Sequence, residues 1–126
     1  MGHTIASAAA ALRDGSLTAV DLVDDLLART SMIEAQVHAY LTLDSDGLRA
    51  SAAEADRMLS EGTDLGPLHG IPVALKDNMT TRGIETTAGS KILSGYVPPY
   101  DGTVVARLKA AGARGIVEYP LNKLIE

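Results

Sequence analysis

The chain has 126 residues, no Cys and a formal net charge of −5, with an isoelectric point near 5.1. This length fits one domain or one piece of a larger domain. The lack of Cys excludes disulfides, thiolate metal sites and cysteine nucleophiles, and the acidic balance argues against a primary role in nucleic-acid binding. The apolar N-terminus lacks a basic segment and is interrupted by Arg13, so we expect no signal peptide, no membrane span and a cytoplasmic location.

Two helices are predicted first. Thr4 is the N-cap of a helix that runs to about Arg13 and ends at Gly15. Thr18 is the N-cap of the next helix, with Asp21 at the third helical position, where a carboxylate stabilises a helix N-terminus. The apolar face of this second helix follows helical spacing and comprises Val20, Val23, Leu26, Leu27 and Ile33.

A short strand and a third helix complete the helical part of the chain, which we assign to residues 1–61. Residues 38–43 alternate in polarity and include Tyr and Thr, a pattern that predicts a strand. Asp44 or Ser45 begins an Ala-rich helix that ends near Leu59.

From residue 62 the sequence predicts a strand, a helix and a second strand. Gly and Pro residues lead into an apolar strand at 71–75, and a Gly- and Pro-rich loop fills 79–101. Residues 115–117 begin the second strand, and the helix before them is capped by Thr103, with Val104, Val105 and Leu108 on one face. Strands joined by a crossover helix are typically parallel. The predicted fold class is α/β: residues 62–126 start a mixed, largely parallel sheet, with the N-terminal helices packed outside it.

Lys76 is the first candidate for chemistry. It follows an apolar strand, and the carboxyl ends of parallel strands are where open α/β sheets place their active sites. A lysine in a poorly solvated site loses its proton more readily and serves as a general base. The structural alternative is a surface lysine that begins a turn with Asp77 and Asn78.

The segment 86–90, Thr-Thr-Ala-Gly-Ser, is the second candidate because small and hydroxyl residues let a backbone approach a ligand or a neighbouring segment. A flexible loop is the alternative. Other sites find no support in the sequence: the Gly residues between 62 and 70 lack the Gly-Lys-Ser/Thr of a phosphate-binding loop. The three His residues have no metal-ligand spacing; they are His3, His38 and His69.

Four blocks of sequence together resemble the N-terminal part of the amidase signature family. They are residues 66–78, 86–90, 99–108 and 111–113, and their order and spacing carry the likeness. Within the family, the chain is most similar to the A subunits of tRNA-dependent aspartyl/glutamyl amidotransferases. The resemblance therefore implies the fold of that family for the α/β part.

The resemblance also implies a mechanism. The family hydrolyses amides with a Ser–cis-Ser–Lys triad, in which Lys76 matches the lysine that takes the proton of the nucleophilic serine through the bridging serine. By the same likeness, Asp77 and Asn78 help to hold the strand end, and Ser90 lies near the active site. In the amidotransferases that the chain resembles, the amide is glutamine and the ammonia passes to partner subunits, so we expect the same here. ATP and Mg²⁺ are expected only on such a partner, with no cofactor or metal in this chain, and direct contact with tRNA is not expected.

The sequence also departs from the family. The Gly- and Ser-rich segment that holds both triad serines has no counterpart here, and the tail after Ala113 diverges, with Glu118 near the position of an expected lysine. We therefore expect an N-terminal portion that is inactive alone. Two other hypotheses stay open: a portion of a general amidase for other carboxamides, and a non-catalytic remnant that acts as an interaction module.

Overall fold

The computed structural model describes residues 2–119, and for Arg114–Tyr119 the backbone alone. The predicted divergence of the tail extends into residues 120–126, which lie outside the described part. The elements in chain order are α1 (Ile5–Asp14), α2 (Ala19–Val37), α3 (Ser45–Ser60), β1 (Pro72–Lys76), a short 3₁₀ turn (Lys91–Leu93), α4 (Thr103–Ala110) and β2 (Arg114–Tyr119).

The starts of α1 and α2 are confirmed as predicted. The Thr4 side chain accepts from the Ser7 N–H at 3.1 Å, and the Thr18 side chain accepts from the Asp21 N–H at 3.0 Å. In each case the third helical residue bonds back to the cap N–H, which forms a complete capping box. Gly15 ends α1 with a φ of 77°, a left-handed conformation that glycine adopts without steric cost.

The main apolar core lies among the three N-terminal helices. Its buried members are Ala8, Leu12, Ala19, Val23, Leu27, Leu48, Ala52, Ala55 and Ile71. Eight of these nine residues come from α1, α2 and α3, and Ile71 comes from the segment that leads into β1. Among residues 2–113, the core is therefore mainly helical.

The predicted apolar face of α2 needs one correction. Ile33 is 55% exposed, whereas Thr30 is 7% exposed and takes the buried position. At 3.6 residues per turn, Thr30 lies about 20° around the helix from Val23, while Ile33 lies about 80° away. Geometry on the helix thus outweighs the polarity of the side chain.

The strand predicted at 38–43 is wrong. Only Thr42 forms an isolated bridge, and the segment is otherwise a connection between α2 and α3. His38 turns the chain in a left-handed conformation, and its N–H donates to the Glu34 carbonyl at 2.8 Å. The Glu34 side chain also accepts from the Tyr40 N–H at 2.9 Å. Bonds to the end of α2 therefore replace the ladder bonds that a strand needs.

The strand–helix–strand prediction is confirmed for the described residues. β1 and β2 pair in parallel, with Val73 opposite Ile116 and Lys76 opposite Tyr119, and α3 packs against β2. Two strands are described, so the larger sheet of the prediction is outside what the structure tests. No helix within residues 2–119 has the length and apolar character needed to cross a membrane.

The start of α4 differs from the prediction by one residue. Gly102 is the N-cap, and Thr103 is the first helical residue. The Gly102 N–H donates to the Thr80 carbonyl at 2.8 Å, and an added Cβ would lie 3.4 Å from that oxygen. On the predicted apolar face, Val105 is buried but Val104 is 52% exposed.

Candidate active site

Lys76 ends β1 on its open face. Along the strand, Leu75 and the following Asp77 are buried, whereas Ala74 and Lys76 are exposed, as expected from alternation of side chains across a strand. Within the described part of the chain, the Lys76 ammonium has no hydrogen bond or ion pair. The described residues therefore leave this group in water and do not supply the poor solvation expected from the sequence.

Asp77 lies on the opposite, closed side of the strand end and is completely buried. Its carboxylate accepts the Thr87 N–H at 2.7 Å and also accepts the Thr87 hydroxyl, while its backbone carbonyl accepts the Ala88 N–H at 2.9 Å. We call this set of three bonds the Asp77 clamp. It brings together the strand end and the segment 86–90, the two candidates that the sequence singles out for chemistry.

The segment 86–90 is a loop held by several hydrogen bonds. Ala88 has a φ of 51°, a left-handed conformation that is uncommon for a residue other than glycine. Ser90 N–H donates to the Thr87 carbonyl at 2.9 Å, and Ser90 Oγ accepts from the Ile92 N–H at 3.3 Å. Ser90 thus caps the 3₁₀ turn, and its role near a reaction centre stays a prediction.

Asn78 is exposed and has no side-chain hydrogen bond among residues 2–113, so the structure does not bring it into the same cluster. Thr87 was not predicted from the sequence as the partner of Asp77. The sequence signal for this hydrogen bond was weak. Either of two adjacent Thr residues could bond to a polar residue at the end of an apolar strand, and ten residues separate Asp77 from Thr87.

His69 has a structural role. It is 1% exposed, its Nδ1 accepts the Leu65 N–H at 3.2 Å, and its Nε2 lies 2.9 Å from the Ala55 carbonyl oxygen. Because the Leu65 N–H requires an acceptor at Nδ1, the ring proton is assigned to Nε2, which donates to α3. Across residues 2–113 no cluster of three or more His, Asp or Glu side chains is arranged to hold a metal.

Asp101 connects the start of the 79–101 loop with α4 through polar contacts. It accepts the Arg82 N–H at 2.8 Å and Lys109 Nζ at 2.9 Å. Partial burial alone would raise the pKa of the Asp101 carboxyl, but the hydrogen bonds from Lys109 and Arg82 and the nearby positive charges outweigh it and hold the pKa below its usual value.

Two open clefts, of about 430 and 560 Å³, lie on the helical part of the chain. The residues that line the first cleft fall between positions 12 and 64 of the sequence, and those that line the second fall between positions 24 and 49. Neither cleft therefore reaches β1 or the 86–90 loop. A reaction centre at Lys76 would therefore need walls that these clefts do not provide.

Comparison with known proteins is consistent with this geometry. The chain is 52% identical over 110 residues to the A subunit of a glutamyl-tRNA(Gln) amidotransferase from Roseiflexus sp. (strain RS-1), covering 87% of this chain and 22% of that protein. It is 51% identical over 108 residues to the corresponding A subunit from Streptomyces coelicolor, covering 86% and 22%. The structure of a native peptide amidase from Stenotrophomonas maltophilia matches 92% of this chain and 23% of its own, with a TM-score of 0.80 and 34% identity.

The match covers most of this chain but only a small share of each relative. The chain spans about a fifth of the curated relatives just described. Within the chain, by contrast, the family model described as Amidase matches residues 21–124, which include β1, the 86–90 loop and α4. With a family match over most of its length and a shared fold, the chain belongs to the amidase family.

Proposed function

We propose that this chain is the N-terminal part of a glutamine-hydrolysing amidase subunit, which acts in the cytoplasm and supplies ammonia for transamidation of misacylated Glu-tRNA(Gln) or Asp-tRNA(Asn). The observation that carries the proposal is the identity of about half of the aligned residues with the A subunits of glutamyl-tRNA(Gln) amidotransferases. The position of Lys76 at the carboxyl end of a parallel strand supports it.

Lys76 takes the part of the base in this proposal. Its amine accepts a proton through a bridging serine, and the nucleophilic serine then attacks the amide carbonyl of glutamine. The C–N bond breaks, the leaving nitrogen takes the proton and departs as ammonia, and water hydrolyses the resulting ester. Both serines are expected in the part of the family that follows this segment, so we predict that the 126-residue chain alone releases no ammonia from glutamine.

The open face of β1 is consistent with a site that is divided between this segment, which holds Lys76, and a second segment that holds the two serines. Ala74 and Lys76 are exposed, and the Lys76 ammonium has no partner within residues 2–113. A base of this kind needs a covered, poorly hydrated site. The covering residues would come from the remainder of the amidase domain. Partner subunits of a heteromeric enzyme would then carry the ATP- and Mg²⁺-dependent step, and no cofactor is assigned to this chain.

A general amidase is the second candidate because the structural match includes a peptide amidase with a TM-score of 0.80. In that case the same lysine would act on a different carboxamide. The third reading, a non-catalytic interaction module, assigns no chemistry to Lys76.

A hybrid enzyme tests the proposal. Residues 1–113 of this chain replace the corresponding segment of the Roseiflexus relative, and ammonia release from glutamine is measured with the partner subunits present. We expect the hybrid to be active and Lys76→Ala to lower kcat on the order of 100-fold or more. Lys91→Ala, at an exposed lysine of the 3₁₀ turn, is the matched control and should leave kcat unchanged.

The other outcomes separate the candidates. A hybrid that hydrolyses peptide amides but not glutamine would favour the general amidase. A folded hybrid whose activity is the same with Lys76→Ala would overturn the assignment of the base. Ammonia release by the 126-residue chain alone, lost on Lys76→Ala, would contradict the division of the site between two segments.

A further inference from the structure

The Asp77 carboxylate is buried without a cation. It is 0% exposed, and within residues 2–113 it takes part in no salt bridge. A buried carboxylate is costly unless hydrogen bonds replace the water that it loses. Here the Thr87 N–H and the Thr87 hydroxyl supply those bonds, so the position of Asp77 and that of Thr87 depend on each other.

The clamp fixes more than one side chain. The Ala88 N–H donates to the Asp77 backbone carbonyl at 2.9 Å, and Ala88 has the left-handed φ of 51°. A non-glycine residue keeps such a conformation only where the surrounding bonds impose it. The clamp therefore helps to set the direction in which residues 89 and 90 leave the strand end, together with the bonds from their N–H groups to Thr87.

Lys76 is on the other side of the same strand end. Since neighbouring side chains in a strand point to opposite faces, anchoring Asp77 on the closed face fixes the backbone from which Lys76 projects on the open face. The Lys76 carbonyl also accepts the Met79 N–H at 2.8 Å, which closes the turn after the strand. Loss of the clamp would free both the turn and the lysine.

We propose that Asp77 is a positioning residue, which acts through Thr87 to hold the end of β1 and the 86–90 loop in the arrangement that Lys76 needs for proton transfer. This inference rests on the proposed function. A misplacement of about 1 Å at a reacting group is enough to slow an enzyme strongly, so the clamp acts on kcat rather than on substrate affinity.

Thr87→Val removes, with little change of shape, the hydroxyl that donates to Asp77 and also accepts the Gly89 N–H at 3.2 Å. Thr86→Val is the matched control, because Thr86 is the neighbouring threonine, is buried, and donates its hydroxyl to the Ile84 carbonyl at 3.2 Å and not to Asp77. In the 126-residue chain, hydrogen exchange of the amides at residues 87 and 88, which both donate to Asp77, should be about tenfold faster with Thr87→Val. Thr86→Val should leave both rates as they are. Equal rates in the two variants would overturn the clamp itself, whatever the function of the chain.

In the hybrid enzyme, Thr87→Val should lower kcat about tenfold or more, with KM within about threefold of the parent. Thr87→Ser keeps the hydroxyl and should restore kcat, which a loss of folding stability alone does not predict. Asp77→Asn keeps an oxygen acceptor for one of the two Thr87 donors, so its kcat should lie between that of the parent hybrid and that of Thr87→Val.

Two results would overturn the positioning role: an equal loss of kcat in Thr86→Val and Thr87→Val, or a change in KM alone. If the parent hybrid is inactive, the proposed function fails and the positioning role falls with it. The exchange rates still decide in that case whether the clamp exists.

Discussion

From α1 to α3 the buried side chains are almost all apolar, whereas from β1 to α4 buried apolar residues such as Leu75 and Val105 lie beside buried polar ones. The helical part contributes eight of the nine buried residues of the main core. In the second part, buried positions include Asp77, Thr81 and Thr86, while Ile92 is 93% exposed and Val97 is 53% exposed. Among residues 2–113, the first part therefore contains most of the apolar core, although α3 also packs against β2 and Met32 of α2 is 77% exposed.

The difference between the two parts shows that the helical core and the proposed functional site lie in separate regions of the chain. The exposed residues of the second part adjoin the loop after Lys76, and the chain spans 22% of the curated relatives. The proposed reaction centre needs residues beyond those described, because Lys76, its proposed base, lies on an open strand face.

The sharpest test of the comparison is a pair of truncations to Ala. Leu48 is 2% exposed in the helical core, so Leu48→Ala should lower the free energy of unfolding by about 2–5 kcal/mol. Ile92→Ala, at a side chain 93% exposed, should change it by less than about 0.5 kcal/mol. Urea unfolding followed by circular dichroism measures both. Comparable losses would show that the loop surface is packed in solution, and the contrast between the two parts would then be wrong.

A smaller effect on the free energy of unfolding is expected at Gly112, where the end of α4 packs against the segment between α3 and β1. Gly112 has a φ of 86°, and an added Cβ would lie 2.8 Å from His69 Cα; Gly83 has a φ of 78° with nothing within 4 Å. Gly83→Ala should cost about 1 kcal/mol from backbone strain alone. Gly112→Ala should cost about 2 kcal/mol more, since backbone atoms must shift. The same unfolding assay measures the difference, and equal costs would mean that this contact is loosely packed.

The smallest effect concerns pH and the polar links of the second part. Since the folded state lowers the pKa of Asp101, its ionised form stabilises the fold above the ordinary carboxyl pKa, and this contribution is lost as the pH falls through the lowered pKa. Asp101→Asn should therefore reduce the loss of stability on acidification below about pH 4. Melting temperatures between about pH 3 and pH 7 test this, with Asp46→Asn, at a fully exposed carboxylate, as the control for the change of net charge. An unchanged slope for Asp101→Asn would contradict the link.

The elements with local signals were predictable from the sequence. Thr4 and Thr18 lie three residues before the groups that they cap, so the information is contained in four consecutive residues. Lys76 was identifiable for a similar reason, since an apolar run followed by a charged residue marks the end of a strand.

The remaining features depend on contacts that are distant in the chain. Asp77 and Thr87 are joined across ten residues, and His69 reaches Ala55 across fourteen. The strand predicted at 38–43 failed for a different reason: Glu34 accepts hydrogen bonds from His38 and Tyr40, four and six residues further on, and alternation of polarity does not reveal these local bonds. Whether Lys76 is covered also depends on chain beyond the described residues.

The most direct measurement is ammonia release from glutamine by the hybrid enzyme, compared between Lys76 and Lys76→Ala, with the 126-residue chain assayed alone. We predict an active hybrid, a loss of activity on the order of 100-fold or more in the variant, and none in the chain alone. A hybrid that is folded and equally active without the Lys76 amine would contradict the central claim that this segment carries the base of the reaction.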